Sequence, residues 1–482
     1  MSWTLLEEFW IHILVAVEIA LAATASAHVV LNKRDVPAAV GWAALAWLAP
    51  FVGVSLYVLF GINRIERKAH RLRPETTRIQ EEAEVEEERL AHRILDESFT
   101  SLVSLGRLGD ELTGFPLVDG NRIEPLVNGD AAYPAMLDAI ANARHSVGLA
   151  TYIFDSDAAG SLFLDALDKA HHRGVAVRVL VDGVGQRYSR TPVPSILRER
   201  GVPVAVFLES ALPIRNNYLN LRNHRKILVV DGRVGFTGGL NIREGCLLET
   251  QSKHQVQDLH FRLEGPVVGS LVRTFALDWD FASDEQLNGT AWYPVLEPTG
   301  DSIARGVPGG PDEDFETIRR VILGALAQAQ RRVRVLSPYF LPDPTLITAL
   351  NVTALRGVQV EILVPRKSNL RVVHWAATSQ VGQLLQDGVR VFLTEPPFDH
   401  TKLMLVDGQW CFFGSANWDQ RSLRLNFELN VECYDRALAA KLNGLVDAKL
   451  ATAEKLTLEW VRALPLPIKL RNGFARLFSP YL

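Results

Sequence analysis

The sequence predicts an α/β protein in which two similar units form one pseudo-two-fold body, preceded by an N-terminal helical hairpin in the membrane. Three observations carry this expectation. The excess of apolar residues is concentrated in the first 62 residues. From about residue 111, short β-rich runs alternate with amphipathic stretches. A 19-residue word, NHRKILVVDGRVGFTGGLN at 223–241, returns as DHTKLMLVDGQWCFFGSAN at 399–417 with no insertion inside it.

The chain has 482 residues, enough for two or three domains. Mean hydropathy is +0.07, high for a fully soluble protein. A net charge of −4 excludes the global basic field of a typical nucleic-acid binder. The three cysteines, Cys246, Cys411 and Cys433, lack metal-ligand spacing and suit reduced thiols in the cytosol.

Residues 1–62 read as two transmembrane helices. Val36–Ile62 runs 27 residues without a charge, enough to cross a hydrocarbon core of about 30 Å, with Pro50 expected at most to kink it. Phe9–Leu31 is the weaker span, carrying His12, Glu18 and His28. A signal peptide is disfavoured because Glu7 and Glu8 occupy the place of its basic region. Arg64, Arg67, Lys68, Arg71 and Arg73 follow the second span, against Lys33 and Arg34 in the turn. The positive-inside rule then places the remainder of the chain in the cytoplasm. Residues 63–110, with six glutamates between 81 and 88, read as a solvated helical connector.

The texture of 111–296 is repeated in 297–450. ARHSVGLATYIFD is answered by AQRRVRVLSPYFLPD, and RGVAVRVLVDG by RGVQVEILVPR, before each half reaches its copy of the word. The Gly/Pro/Asp-rich stretch 297–314 reads as the joint between the halves. Residues 451–482 mix Leu, Phe and Ile with Lys469, Arg471 and Arg476. Either a basic amphipathic segment on an anionic membrane or a packed C-terminal helix fits them.

Inside the word, Asp231-Gly232 and Asp407-Gly408 predict two-residue hairpin turns. That register sets His224 opposite Gly239 and His400 opposite Ser415. His and Lys two positions apart share a strand face, with Asn241 and Asn417 just past the returning strands. Two such clusters facing each other supply paired imidazoles, two ammonium groups and two carboxamides. Those groups suffice for metal-free phosphoryl transfer: one imidazole attacks phosphorus, the other protonates the leaving alkoxide, and the cations stabilise the developing charge. A single copy would be an ordinary hairpin; two with identical spacing make an incidental histidine a poor explanation. Metal ligation fits less well, since lysine is not a usual zinc ligand. His171, His172 and His254 read as surface or packing residues.

The doubled HxKxxxxDG word, ending in GGLN and GSAN, resembles the paired signature of the phospholipase D superfamily. The two N-terminal apolar segments, FPLVDGNRIEPLVNGDAAYPAMLDAIANARHSV, YIFDSD, RNHRKILVVDG, QDLHFRLEGPVV, GGPDED and SPYFLPD extend the resemblance, over nearly the whole chain, to its bacterial cardiolipin synthases. The resemblance implies two tandem α/β/α sandwich units with the active site at their interface. It implies joining of two phosphatidylglycerol molecules into cardiolipin with release of glycerol, through a phosphohistidine. His224 and His400 would be nucleophile and general acid/base, the superfamily's habit favouring His224 as nucleophile. Lys226, Lys402, Asn241 and Asn417 would bind phosphate, with Ser415 assisting where the first copy has Gly239. Asp231 and Asp407 complete the catalytic signature and are read as holding the turns. Asp258 and Glu428 match the acidic residues that orient the histidines, Asp258 being assigned to the first copy.

The expected partners are phosphatidylglycerol, cardiolipin and the bilayer, with no nucleic acid, no cofactor and no metal; a homo-oligomer is open. The expected location is the bacterial inner membrane, multi-pass, with the catalytic body on the cytoplasmic side. A phospholipase D-type lipid hydrolase or another phosphatidyltransferase is the alternative, and a nuclease is disfavoured by the acidic balance.

Overall fold

A computed structural model of the chain describes residues 3–33, 36–61, 99–189, 191–208, 221–250, 254–311 and 316–479, with Leu95 and Ser252. The glutamate run and the basic residues used for orientation, Arg34 and Arg64 to Arg73, lie outside these. The chain divides into two compact units, a helical N-terminal one and a second that holds the described residues from Leu95 onward.

In the N-terminal unit, helix α1 (Trp3–Asn32) is unbroken, as its lack of Gly and Pro dictates. The expected ranking of the two spans is reversed. Among the described residues, the one helix long and apolar enough to cross a membrane lies in the first segment, Phe9–Asn32. The second segment is divided into α2 (Val36–Leu48) and α3 (Pro50–Leu56), followed by a π turn at Tyr57–Gly61. Pro50 has no N–H to donate and starts a new helix at its first position, so the chain breaks at Ala49. Trp47 Nε1 donates to Ser26 Oγ at 3.0 Å, and His28 Nδ1 lies 2.8 Å from the Tyr57 hydroxyl. These pairs join α1 to the second segment around buried Ala25, Val29 and Ala46.

The second unit is built on one continuous sheet of fifteen strands among the described residues. The first half contributes β1 (Val118–Val127), β2 (Ser146–Thr151), β3 (Ala176–Asp182), β4 (Val204–Phe207), β5 (Ile227–Val230), β6 (Val234–Gly238) and β7 (Leu259–Glu264). The second contributes β8 (Ser302–Gly309), β9 (Arg332–Leu336), β10 (Gln359–Pro365), β11 (Arg390–Thr394), β12 (Leu403–Val406), β13 (Trp410–Gly414), β14 (Glu428–Tyr434) and a short β15 (Glu454–Lys455). Outward from the centre the first half runs β1-β7-β6-β5-β2-β3-β4, and the second β8-β14-β13-β12-β9-β10-β11-β15. The order is the same, and the halves meet where β1 pairs antiparallel with β8. Strand alternation sends Leu403 and Leu405 to one face and Met404 and Val406 to the other. One apolar layer, beneath helices Val268–Ser283 and Arg436–Leu450, runs under both halves, with Phe261 stacked on Phe413 across them at 3.7 Å between ring centroids. The opposite face carries a separate core for each half. This is the duplicated α/β/α arrangement expected.

Three expectations need correction. The stretch read as a joint contains a central strand: all eight residues of β8 are buried. Its glycines serve close packing, because a Cβ on Gly306 would lie 2.7 Å from Ser270 Cβ and one on Gly309 2.7 Å from Ile318 Cδ1. The end of the supposed connector belongs to the body, since Leu95, Phe99, Leu102 and Leu105 are buried against the second-half core. Finally, the hairpins run one residue out of the expected register. Val230 pairs with Val234 and Val406 with Trp410. The tight turn forms, with Asp231 at φ +52° and Gly232 at +62° and Arg233 N–H donating to Val230 O at 3.0 Å. Asp231 N–H is committed to Ser146 O on the neighbouring strand, and this leaves Arg233 as an extra residue.

At the C-terminus, helix Leu466–Arg476 packs on helix Arg371–Gln386, where the Arg471 guanidinium lies 4.4 Å from the Trp375 ring centroid. Its other face exposes Leu466, Leu470 and Phe474, followed by Leu477 and Phe478. The packed C-terminal helix is thus present, and its outer face is apolar and exposed.

Candidate active site

The two histidines precede their strands rather than lying on them, in segments that cross from one half to the other. His224 N–H donates to Phe427 O at 2.9 Å, and Phe427 N–H to Arg222 O at 2.8 Å. Phe398–Asp399 pairs in parallel with Val256–Gln257, and His400 N–H donates to Gln257 O at 2.7 Å. Each histidine segment is thus zipped to the segment of the other half that enters a carboxylate strand. In consequence the carboxylates are exchanged. His224 Nδ1 lies 3.1 Å from Glu428 Oε2, and His400 Nδ1 lies 2.7 Å from Asp258 Oδ2. The assignment of Asp258 to the first copy is therefore corrected: backbone pairing between the halves brings it to His400.

Both imidazoles, Asn241 and Asn417 line one cavity of about 400 Å³. Behind the imidazoles, Lys226 Nζ donates to His224 O at 2.7 Å and Lys402 Nζ to His400 O. Asn241 Oδ1 accepts from Ile153 N–H at 3.2 Å, while Asn417 Nδ2 donates to Ser422 Oγ at 3.2 Å and leaves its Oδ1 without a partner. Ser415 does not face the cavity. It is fully buried and its hydroxyl donates to Glu428 Oε2 at 2.5 Å. Gly239 occupies the equivalent place against Asp258, where a Cβ would lie 2.1 Å from Oδ1. The Gly/Ser difference thus follows from the carboxylates: the aspartate needs the space that the glutamate leaves for a hydroxyl.

Asp231 and Asp407 stand away from the cavity. The Asp231 carboxylate accepts from the backbone N–H groups of Arg144, His145 and Ser146, between 2.7 and 3.1 Å. Asp407 repeats this at 2.8 Å with Gln330, Arg331 and Arg332. Each fastens its turn to the start of the neighbouring strand.

Burial dominates the electrostatics. It pushes both imidazoles below their ordinary value, His400 the further, and it drives Lys226 down to about 7 and Lys402 to about 8. Burial also raises Asp258 to about 7. Glu428 is raised by the same burial but ends below its ordinary value, because His224, Lys226 and Ser415 favour its charged form.

Several lining residues escaped the sequence reading, among them Arg222, Arg243, Arg421, Tyr152 and Tyr339. The tyrosines had a signal: TYIF and SPYF stand at corresponding places in the two halves. Tyr152 lies 4.9 Å from the His224 ring and Tyr339 6.3 Å from the His400 ring, centroid to centroid. Arg243 and Arg421 follow their words at unequal spacing, Arg222 precedes the first word where the second has Phe398, and none carries a comparable mark.

The profile of the family described as the phospholipase D-like domain of cardiolipin synthase matches residues 136–256 and 322–449. The chain belongs to that family. The cardiolipin synthase family thus matches both halves, including the two histidine words. Relatives extend the match: the major cardiolipin synthase of Bacillus subtilis is 32% identical over 94% of this chain and 95% of its own. A cardiolipin synthase of Listeria monocytogenes is 30% identical over 95% of this chain and 96% of its own. Among solved structures, phosphatidylserine synthase of Haemophilus influenzae shares the fold, with a TM-score of 0.61 over 79% of this chain and all of that one at 15% identity.

Proposed function

We propose that this chain transfers a phosphatidyl group from one phosphatidylglycerol to the free glycerol hydroxyl of another, forming cardiolipin and releasing glycerol. The observation that carries the reading is the exchanged pair of His–carboxylate contacts at one cavity, with a buried lysine behind each imidazole. Ionised Glu428 accepts from Nδ1–H of neutral His224 and leaves its Nε2 free to attack phosphorus. The P–N bond forms as the P–O bond to glycerol breaks, and the alkoxide takes a proton from His400. Asp258, raised to about 7, keeps a proton on the Asp258–His400 pair near neutrality, and this suits that pair to the acid role. In the second step His400 takes the proton of the incoming hydroxyl, whose oxygen displaces His224 from phosphorus. Lys226, Lys402, Asn241 and Asn417 stabilise the non-bridging oxygens. Ser415 acts by holding Glu428 rather than by touching phosphate.

The N-terminal helices anchor the enzyme in the membrane as a multi-pass protein with the catalytic unit on the cytoplasmic side, the sense favoured by the basic residues after the second apolar segment. The exposed apolar face of helix Leu466–Arg476, beside Lys469 and Arg476, rests on the anionic lipid surface.

The test is detergent-solubilised protein with labelled phosphatidylglycerol and no nucleotide. Cardiolipin and glycerol in equal amounts are expected. Phosphatidic acid as sole lipid product would replace the reading by hydrolysis.

A further inference from the structure

A second cavity of about 360 Å³ adjoins the catalytic one, and Tyr339 and Val373 line both. It lies between helix Arg371–Gln386 and strands β10 and β11, walled by Val364, Ala377, Val381, Leu384, Leu393 and Trp460. Its polar lining includes Arg366, which is ion-paired to Glu395 and Glu454, as well as Ser368 and His374. Protein interiors are close-packed, with few voids larger than a water molecule. An apolar space of this size opening beside a phosphate-handling site therefore calls for an apolar occupant.

The departure from two-fold symmetry points the same way. Between β3 and β4 the first half has a helix of 7 residues, Val193–Glu199, whereas between β10 and β11 the second has 16 residues, Arg371–Gln386. The added length forms one wall of the cavity. Leu370 and Val372, at the start of that helix, are about half exposed, and Leu370 also lines the catalytic cavity. The same helix carries the C-terminal helix with its exposed apolar face. An apolar path thus leads along this helix from the surface to the wall shared by the two cavities.

We infer that this cavity binds one fatty acyl chain of the phosphatidyl group whose phosphorus is held between His224 and His400. The inference rests on the site being one of phosphatidyl transfer. Tyr339, fixed by the hydrogen bond from its hydroxyl to Asn369 Oδ1 at 2.8 Å, stands at the boundary between headgroup and chain. Each methylene that packs in the cavity adds contacts with its apolar walls, so kcat/KM rises with acyl length until the cavity is filled.

The test uses the full-length protein in detergent with phosphatidylglycerol carrying a diazirine at the acyl terminus. After illumination, adducts are expected on Ala377, Val381 or Leu393. Adducts confined to the N-terminal helices or the exposed face of Leu466–Arg476 would overturn the inference. In parallel, Ala377→Trp fills the cavity. The ratio of kcat/KM for long-chain over short-chain phosphatidylglycerol is expected to fall by roughly tenfold, as when about two methylenes lose an apolar site. A ratio equal to that of the wild type would also overturn it. A wild-type protein that makes no cardiolipin would sink the transfer reading instead, because crosslinking reports the bound chain without turnover.

Discussion

At the scale of single residues, the two aspartates of the doubled word separate from the rest of it. Asp231 binds three backbone N–H groups at the surface of the fold, far in role from the imidazole seven residues before it. Asp231→Ala is expected to cost about 2–4 kcal/mol of stability, from loss of charge-assisted hydrogen bonds and the left-handed turn. The specific activity of the folded fraction should be retained; a melting curve paired with activity per folded molecule checks this. His224→Ala or His400→Ala should abolish transfer even per folded molecule, and full activity in both variants would refute the paired-imidazole mechanism. The pH profile follows from burial. The lysines are charged below their depressed values and lose charge above them, so kcat/KM is expected to fall as pH rises through about 7 to 8. Bound phosphodiester favours the charged lysines, so the same limb in kcat should lie at higher pH. The acid limb should lie below the ordinary histidine range, since both imidazoles are depressed. A kcat/KM that stays flat to about pH 10 would exclude the lysines as the titrating groups. The clustering of His, Lys and Asn was legible because their spacing repeats; the spacing of Ser415 does not reveal that its hydroxyl is bonded to Glu428.

At the scale of elements, composition misled where tertiary packing overrode it. Gly306, Pro308 and Gly309 read as loop, yet they lie in a buried strand because two helices approach too closely for larger side chains. The Asp-Gly turns were legible, but the register was not. It depends on where the Asp231 N–H finds its acceptor, and that is on another strand. In the N-terminal unit, freedom from charge suggested the second span, while helical continuity, interrupted at Ala49 (φ −145°) before Pro50, which has no N–H to donate, favours the first. The C-terminal helix carries a prediction of its own. Leu470→Glu combined with Phe474→Glu introduces charge on the exposed apolar face. The apparent KM for phosphatidylglycerol in anionic vesicles should rise roughly tenfold, as expected when apolar burial at the interface is lost. No change in KM would show that this face is only a solvent-exposed surface.

At the scale of the whole molecule, the exchange of carboxylates makes the two halves chemically interdependent. Glu428→Gln should slow formation of the phosphohistidine for every donor, because His224 loses the group that fixes its tautomer. Asp258→Asn should slow transfer from phosphatidylglycerol by roughly 10²–10⁴. It should largely spare an analogue whose p-nitrophenolate leaving group needs no protonation. Equal defects with both donors in both variants would refute the division into nucleophile and acid. Sequence alone determined the duplication, the α/β texture of each half and the two His/Lys pairs, because these follow from local periodicity and identical spacing. Tertiary structure alone decided which carboxylate serves which histidine. That choice is made where Phe427 pairs beside His224 and Gln257 beside His400, by hydrogen bonds between backbone groups of the two halves. Such bonds are available to nearly every residue type, so the sequence carries no mark of them.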